Sequence, residues 1–130
     1  MSQKIIFKRL VLFNFLTAVF FLISPFLNIE SEEVLNFNNS VEMNDIVFLI
    51  VILWLIAFTI SSYMLYNFKK TGKQLYLIAI ILGVIISLFS GSIAFDPISY
   101  LVDGLGWAFT GIIIYILYFT PIKKEFEQKK

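Results

Sequence analysis

Four uncharged, strongly apolar runs, at 10–29, 46–68, 74–95 and 104–122, alternate with short polar stretches along this chain. Each has about the 20 residues a helix needs to cross the hydrocarbon core of a bilayer. The pattern predicts an all-α integral membrane protein, a four-helix bundle forming a single transmembrane domain over residues 1–130. The charges sort with the runs. Lys4, Lys8 and Arg9 precede the first, Lys69, Lys70 and Lys73 separate the second from the third, and Lys123, Lys124, Lys129 and Lys130 follow the fourth. The two other connections hold no Lys or Arg but seven of the nine acids: Glu30, Glu32, Glu33, Glu42, Asp45, Asp96 and Asp103. Cations concentrate on the cytoplasmic side of membrane proteins. An N-in/C-in topology follows, with 30–45 and 96–103 outside.

Small and polar residues recur inside the runs at helical spacing. In the first, Asn14, Thr17, Ala18, Phe21, Ser24 and Pro25 share a face. In the second, Trp54, Ala57 and Ser61 form a stripe, with Thr59, Ser62 and Asn67 beside it. The third has Ala79, Gly83, Ser87 and Gly91 at intervals of four, and the fourth has Gly104, Ala108, Gly111, Tyr115 and Tyr118 at intervals of four and three. Acyl chains are as apolar as Leu, so helices in lipid associate through close backbone approach and a few interhelical hydrogen bonds. The Ala79–Gly83–Ser87–Gly91 stripe is therefore read as a packing face within the bundle, with a dimer interface as the alternative. Bulk introduced at Gly83 or Ser87 is expected to disturb it. Tyr100 and Trp107 fall near the outer boundary, and Tyr66, Phe68, Tyr76, Tyr118 and Phe119 near the inner one, as an interfacial aromatic belt would. Trp54 is too deep for that belt and is expected to fill a gap between helices.

Composition narrows the chemistry. The chain has no Cys and no His, which removes disulfides, thiolate nucleophiles, the usual haem ligand and the side chain that titrates near neutrality. Lys outnumbers Arg nine to one and Phe, Ile, Leu and Asn are abundant, a bias that points to an AT-rich, bacterial genome. The first run is too long for a signal-peptide core and lacks a small-residue cleavage site, so it reads as an uncleaved span in a cell inner membrane. Residues 120–130 read either as a juxtamembrane segment touching anionic lipid or as a frayed tail. The acids Glu42, Asp45, Asp96 and Asp103 could converge on a cation. Helix capping explains them better: Asp45 and Asp103 open spans, and Asp96-Pro97 opens a short turn over 98–102. Asn38-Asn39-Ser40 matches a glycosylation acceptor and is read as polar loop. No span carries the ionisable group on which coupled transporters depend, and Asn14 stands where small four-span exporters keep a carboxylate. No catalytic residue, cofactor or metal site is expected.

Two segments, Asn67-Phe68-Lys69-Lys70 leading into Leu75-Tyr76-Leu77-Ile78, and Tyr118-Phe119-Thr120-Pro121-Ile122-Lys123-Lys124-Glu125-Phe126, resemble the inner loop and tail of small four-span bacterial inner-membrane proteins of unassigned function. The resemblance covers the last half of the chain and implies the four-span topology but no activity. The functional expectation is a non-enzymatic accessory or scaffold subunit. Its partners would be the lipid bilayer, itself or a larger membrane complex, with no nucleic acid. The alternative is a homo-oligomeric pore or carrier for a neutral or weakly polar solute, its path lined by Asn14, Thr17, Thr59, Ser61 and Ser87. A hydrated cavity joining these residues would favour the path; a dry seam would favour the scaffold.

Overall fold

The computed structural model describes residues 2–27, 31–40, 45–89 and 94–127. Gly91, Glu30, Glu42 and Asn44 lie outside the described residues, as do the side chains of Phe21, Pro25, Asn39 and Asp45. Among the described residues the chain is all-helical. Helix α1 (Gln3–Ile23) continues into a 3-10 turn (Ser24–Leu27), followed by α2 (Glu32–Ser40), α3 (Asp45–Tyr66), α4 (Lys70–Phe89) and α5 (Pro97–Phe119), and a second 3-10 turn (Pro121–Phe126). Three segments are long and apolar enough to cross a membrane: Phe48–Tyr66, Lys70–Phe89 and Pro97–Phe119. Only 17–22% of their most apolar stretches is buried. Leu53, Ile56, Leu88, Phe89 and Leu101 are among the large side chains left on the surface. A helix apolar on all sides that is not covered by protein is suited to lipid. The helix α1 carries Lys4, Lys8 and Arg9 in its first turns and is uncharged from Leu10 onward.

The closest pairs are α3 with α4 and α1 with α5, and α1 also packs on α3. A tight turn forces the α3–α4 pair antiparallel. At the end of α3 the Lys69 N–H donates to the Met64 carbonyl (2.9 Å) and the Phe68 N–H to that of Leu65 (3.0 Å), which is the Schellman pattern. The position after the cap belongs to Phe68, with φ of 52° in the left-handed region. An L-residue there costs about 1–2 kcal/mol. Its ring offsets this by packing 5.6 Å from Phe7 and 5.3 Å from Phe126. One turn later, Gly72 lets the two backbones touch. A Cβ at that position would lie 2.8 Å from Met64 Cβ and 3.0 Å from the Leu65 nitrogen.

The buried core sits toward the end that carries the cations. Phe7 and Val11 of α1, Phe58 and Leu65 of α3, Tyr76 and Ala79 of α4, and Ile113 and Leu117 of α5 are joined there by Ile122 and Phe126. The last two close the bundle from below. Thr120 starts the final 3-10 turn, its hydroxyl accepting from the Ile122 N–H (3.4 Å) and donating to the Ile116 carbonyl (2.8 Å). Pro121 occupies the first position of the turn, where a missing N–H is harmless. Residues 120–127 are thus not a frayed tail. They fold back with Ile122 and Phe126 inside, and Lys4 meets Glu125 at 2.7 Å.

Two expectations at the opposite end need correction. Asp103 does not open a span: α5 begins at Pro97 and runs unbroken through it, so 98–102 is the first part of that helix rather than a separate turn. Asp103 is partly buried in the helix, with Trp107 one turn on. Asp96 does hold the N-cap position of α5, with Pro97 next, but its carboxylate makes no bond to that helix. It accepts instead from the Ser31 N–H (2.6 Å), beside the start of α2. The helix α2 was not foreseen in the acidic connection. Ser31 caps it, its hydroxyl accepting from the Val34 N–H (3.4 Å), and Glu32 and Glu33 lie in the first turn, where the helix dipole favours anions.

Candidate functional site

Three helices bring one polar side chain each to a common point. Asn14 of α1, Tyr76 of α4 and Thr110 of α5 are 3%, 1% and 7% exposed. The Asn14 amide nitrogen donates to the Tyr76 hydroxyl at 2.6 Å, and the Thr110 hydroxyl donates to the Asn14 amide oxygen at 3.3 Å. Both ends of the amide therefore have a partner, as a buried polar group requires in an apolar surrounding. Beside the node, the Thr17 hydroxyl donates to the Asn14 carbonyl (2.8 Å) and faces the backbone of Gly106. Tyr76 belongs to this node rather than to an interfacial belt. Its ring faces inward, 5.9 Å from that of Phe58.

A second contact joins α3 to α4. The Trp54 indole N–H donates to the Ala79 carbonyl at 2.7 Å, and its ring stacks on Phe58. The indole lies against Gly83, where an added Cβ would meet its Nε1 at 3.0 Å. Of the four-residue stripe, Ala79 and Gly83 thus face α3. Ser87 is exposed and bonds its own helix at the Val84 carbonyl (2.7 Å), so bulk there is not resisted by a neighbouring helix. Gly72, Tyr76, Ala79 and Gly83 form the inward line instead.

The residues of the anticipated solute path separate. Asn14 and Ser61 are buried, and Ser61 donates to the Phe58 carbonyl at 2.8 Å. Thr17 is half-buried, whereas Thr59 and Ser87 are exposed on outward faces. On α5, the line Gly104–Ala108–Gly111–Tyr115–Tyr118 also faces outward, with nothing within 4 Å of a Cβ at Gly104 or Gly111. The face of α5 that is covered runs through Ser99, Gly106, Thr110, Ile113 and Leu117.

At the cation-bearing end, aromatic rings order the lysines. The Lys8 ammonium lies 4.6 Å from the centre of the Tyr66 ring, and that of Lys73 lies 5.0 Å from the Tyr118 ring. At the other end, Asn38 of α2 clamps the chain before α5, donating to the Ala94 carbonyl (3.1 Å) and accepting from the Ala94 N–H (2.9 Å). Among the described residues, no three acids gather as a metal site. Asp96 reaches across to the Ser31 N–H at the start of α2, whereas Asp103 stays within α5.

Among the described residues the protein is all-helical, with three helices fit to cross a membrane and a buried polar node that ties α1 to two of them, α4 and α5. Comparison with known protein families, curated proteins and solved structures gave no match.

Proposed function

We propose that the chain is a four-span inner-membrane protein that acts as a non-enzymatic accessory or scaffold subunit, binding another membrane protein or a second copy of itself. In this reading α1, α3, α4 and α5 are the spans. Both chain ends and the turn at 67–69 face the cytoplasm, while α2 faces outward. The orientation is supported by the gathering of Lys4, Lys8, Lys73 and the final 3-10 turn at one end of the bundle.

The observation that carries the scaffold role is the node. Asn14 bonds both Tyr76 and Thr110 directly, at 2.6 and 3.3 Å, tying α1, α4 and α5 at one buried point. Polar groups used this way fix how helices register and leave little to offer a solute. The outward small-residue line on α5 is then a place where another helix could approach closely. The pore or carrier reading retains one support. Thr59 and Ser87 lie on exposed faces, so a ring of several copies could bring them together.

The test is purification in a mild detergent with an affinity tag, followed by mass measurement of the intact particle. Copurification with a larger complex or a second copy is expected. A monodisperse single chain, together with gradient-free solute flux in proteoliposomes, would overturn the scaffold reading. Because the chain has no Cys, single cysteines report the topology cleanly. In intact cells a membrane-impermeant thiol reagent should label Asn36→Cys on α2 and spare Asn67→Cys. The reverse pattern would invert the orientation.

A further inference from the structure

At the cation-bearing end, α1 and α3 enclose an open groove of about 240 Å³ lined by Ile5, Lys8, Arg9, Leu12 and Tyr66. We propose that this groove binds the phosphate headgroup of an anionic phospholipid, with the adjoining acyl chain lying along Leu12. The proposal rests on the membrane reading above. Its first support is the division of the lining. Positions 5, 8, 9 and 12 share one face of α1 at helical spacing, so one wall offers two cations and the same wall continues into two apolar side chains. Leu12 lies one turn deeper than the two cations in this orientation and is 47% exposed, so it is open to an acyl chain.

The second support is charge complementarity. No carboxylate is among the five lining residues, and the phenol of Tyr66 adds a hydrogen-bonding group. The contrast with the rest of this end is informative. Lys4 is engaged by Glu125, and Lys73 is laid over Tyr118 and Phe126, away from the groove. Lys8 is instead fixed over the rings of Tyr66 and Phe68, at 4.6 and 5.6 Å, on the groove wall itself. A lysine already held in place loses less freedom when an anion arrives. Basic pockets between spanning helices at this depth suit phospholipid headgroups. A soluble phosphate would use the cations but leave the Leu12 face uncovered, so the lipid is the better match.

The protein purified in neutral detergent is titrated with phosphatidylglycerol, phosphatidylcholine or inorganic phosphate, reading retained lipid by native mass spectrometry and thermal stability. Phosphatidylglycerol is expected to be retained and to raise the melting temperature, and the other two to do neither. Each surface cation is worth about fivefold in affinity for an anionic surface. K8Q/R9Q should therefore weaken phosphatidylglycerol binding about thirtyfold, whereas K123Q/K124Q, at the same end but outside the groove, should leave most of it. Arg9 is exposed, so R9Q alone keeps the test valid if the double variant does not fold; about fivefold weakening is expected. K8R should retain binding. Equal loss in the two double variants would show diffuse attraction to charge and overturn the site, as would stabilisation by inorganic phosphate alone. A chain released from membranes by alkaline carbonate would instead refute the membrane reading, so the two failures are distinguishable.

Discussion

Replacing Gly72 by Ala adds one methyl group where α3 and α4 come closest. The new carbon would stand 2.8 Å from Met64 Cβ and 3.0 Å from both the Leu65 nitrogen and the Met64 carbonyl carbon. Ordinary carbon contacts lie at about 3.5–4.0 Å. The gap must open by roughly 0.7 Å or more, and two of the three opposing atoms are main chain, so no rotamer change can provide it. Overpacking of this kind costs about 1–3 kcal/mol. Ala returns up to about 1 kcal/mol through its better helix propensity. A net loss of about 1–2 kcal/mol is expected, concentrated on the α3–α4 hairpin. Gly104→Ala is the matched control, because nothing lies within 4 Å of the methyl it would add and the propensity gain stands alone. Thermal unfolding of both variants in the same detergent, followed by loss of the monodisperse peak, should place Gly72→Ala clearly below the parent and Gly104→Ala at or above it. Equal melting of the two variants would refute the close approach at Gly72.

Other substitutions probe the remaining contacts. Tyr76→Phe deletes one partner of Asn14 and should lower stability by about 0.6–1.7 kcal/mol, the range for interhelical hydrogen bonds in membranes; an unchanged melting temperature would argue against the node. Phe68→Gly relieves the left-handed backbone yet removes the ring from Phe7 and Phe126, and a net loss of about 1–2 kcal/mol is expected because aromatic pairing and burial outweigh the strain. A more stable Phe68→Gly protein would reverse that balance. Phe126→Ala empties a nearly fully buried site and should cost about 3–5 kcal/mol, with limited proteolysis near residue 124 as its early sign. Gly83→Leu should destabilise by displacing Trp54, while Ser87→Leu should be tolerated; equal damage from both would contradict their opposite exposure.

The apolar runs and the sorting of charge made the helices legible, since length and uncharged composition are properties each segment carries by itself. The choice of face was harder to read. A helix apolar all round has no polar side to mark its exterior, so the Gly104–Ala108–Gly111 line on α5 looked like a seam while the covered face ran through Gly106 and Thr110. Asn14 drew attention as the most polar side chain in its run. Its partner Tyr76 was hidden among tyrosines that suit an interface, because a phenol is equally at home at a boundary or on a buried acceptor. Gly72 was obscured by Lys69, Lys70 and Lys73, which mark a connection and distract from packing. The start of α2 was written in Ser31-Glu32-Glu33, a cap followed by acids, but a short polar stretch between apolar runs invites a loop reading. Asp103 is the opposite case: a charge between apolar runs suggests a boundary, yet α5 runs unbroken through it.

The node also sets a timetable. Asn14 and Thr110 are 96 residues apart in the chain, while α3 and α4 are consecutive and can zip together as soon as both are made. At a synthesis rate of 5–20 residues per second, Thr110 emerges about 5–20 s after Asn14. Until Tyr76 is made the amide has neither final partner, and from then until Thr110 emerges its oxygen still lacks the final donor. Its pairing with α5 is therefore the late event of assembly, and a nascent chain stalled before residue 110 carries an Asn14 amide oxygen without its final donor, open to any other helix that reaches it first.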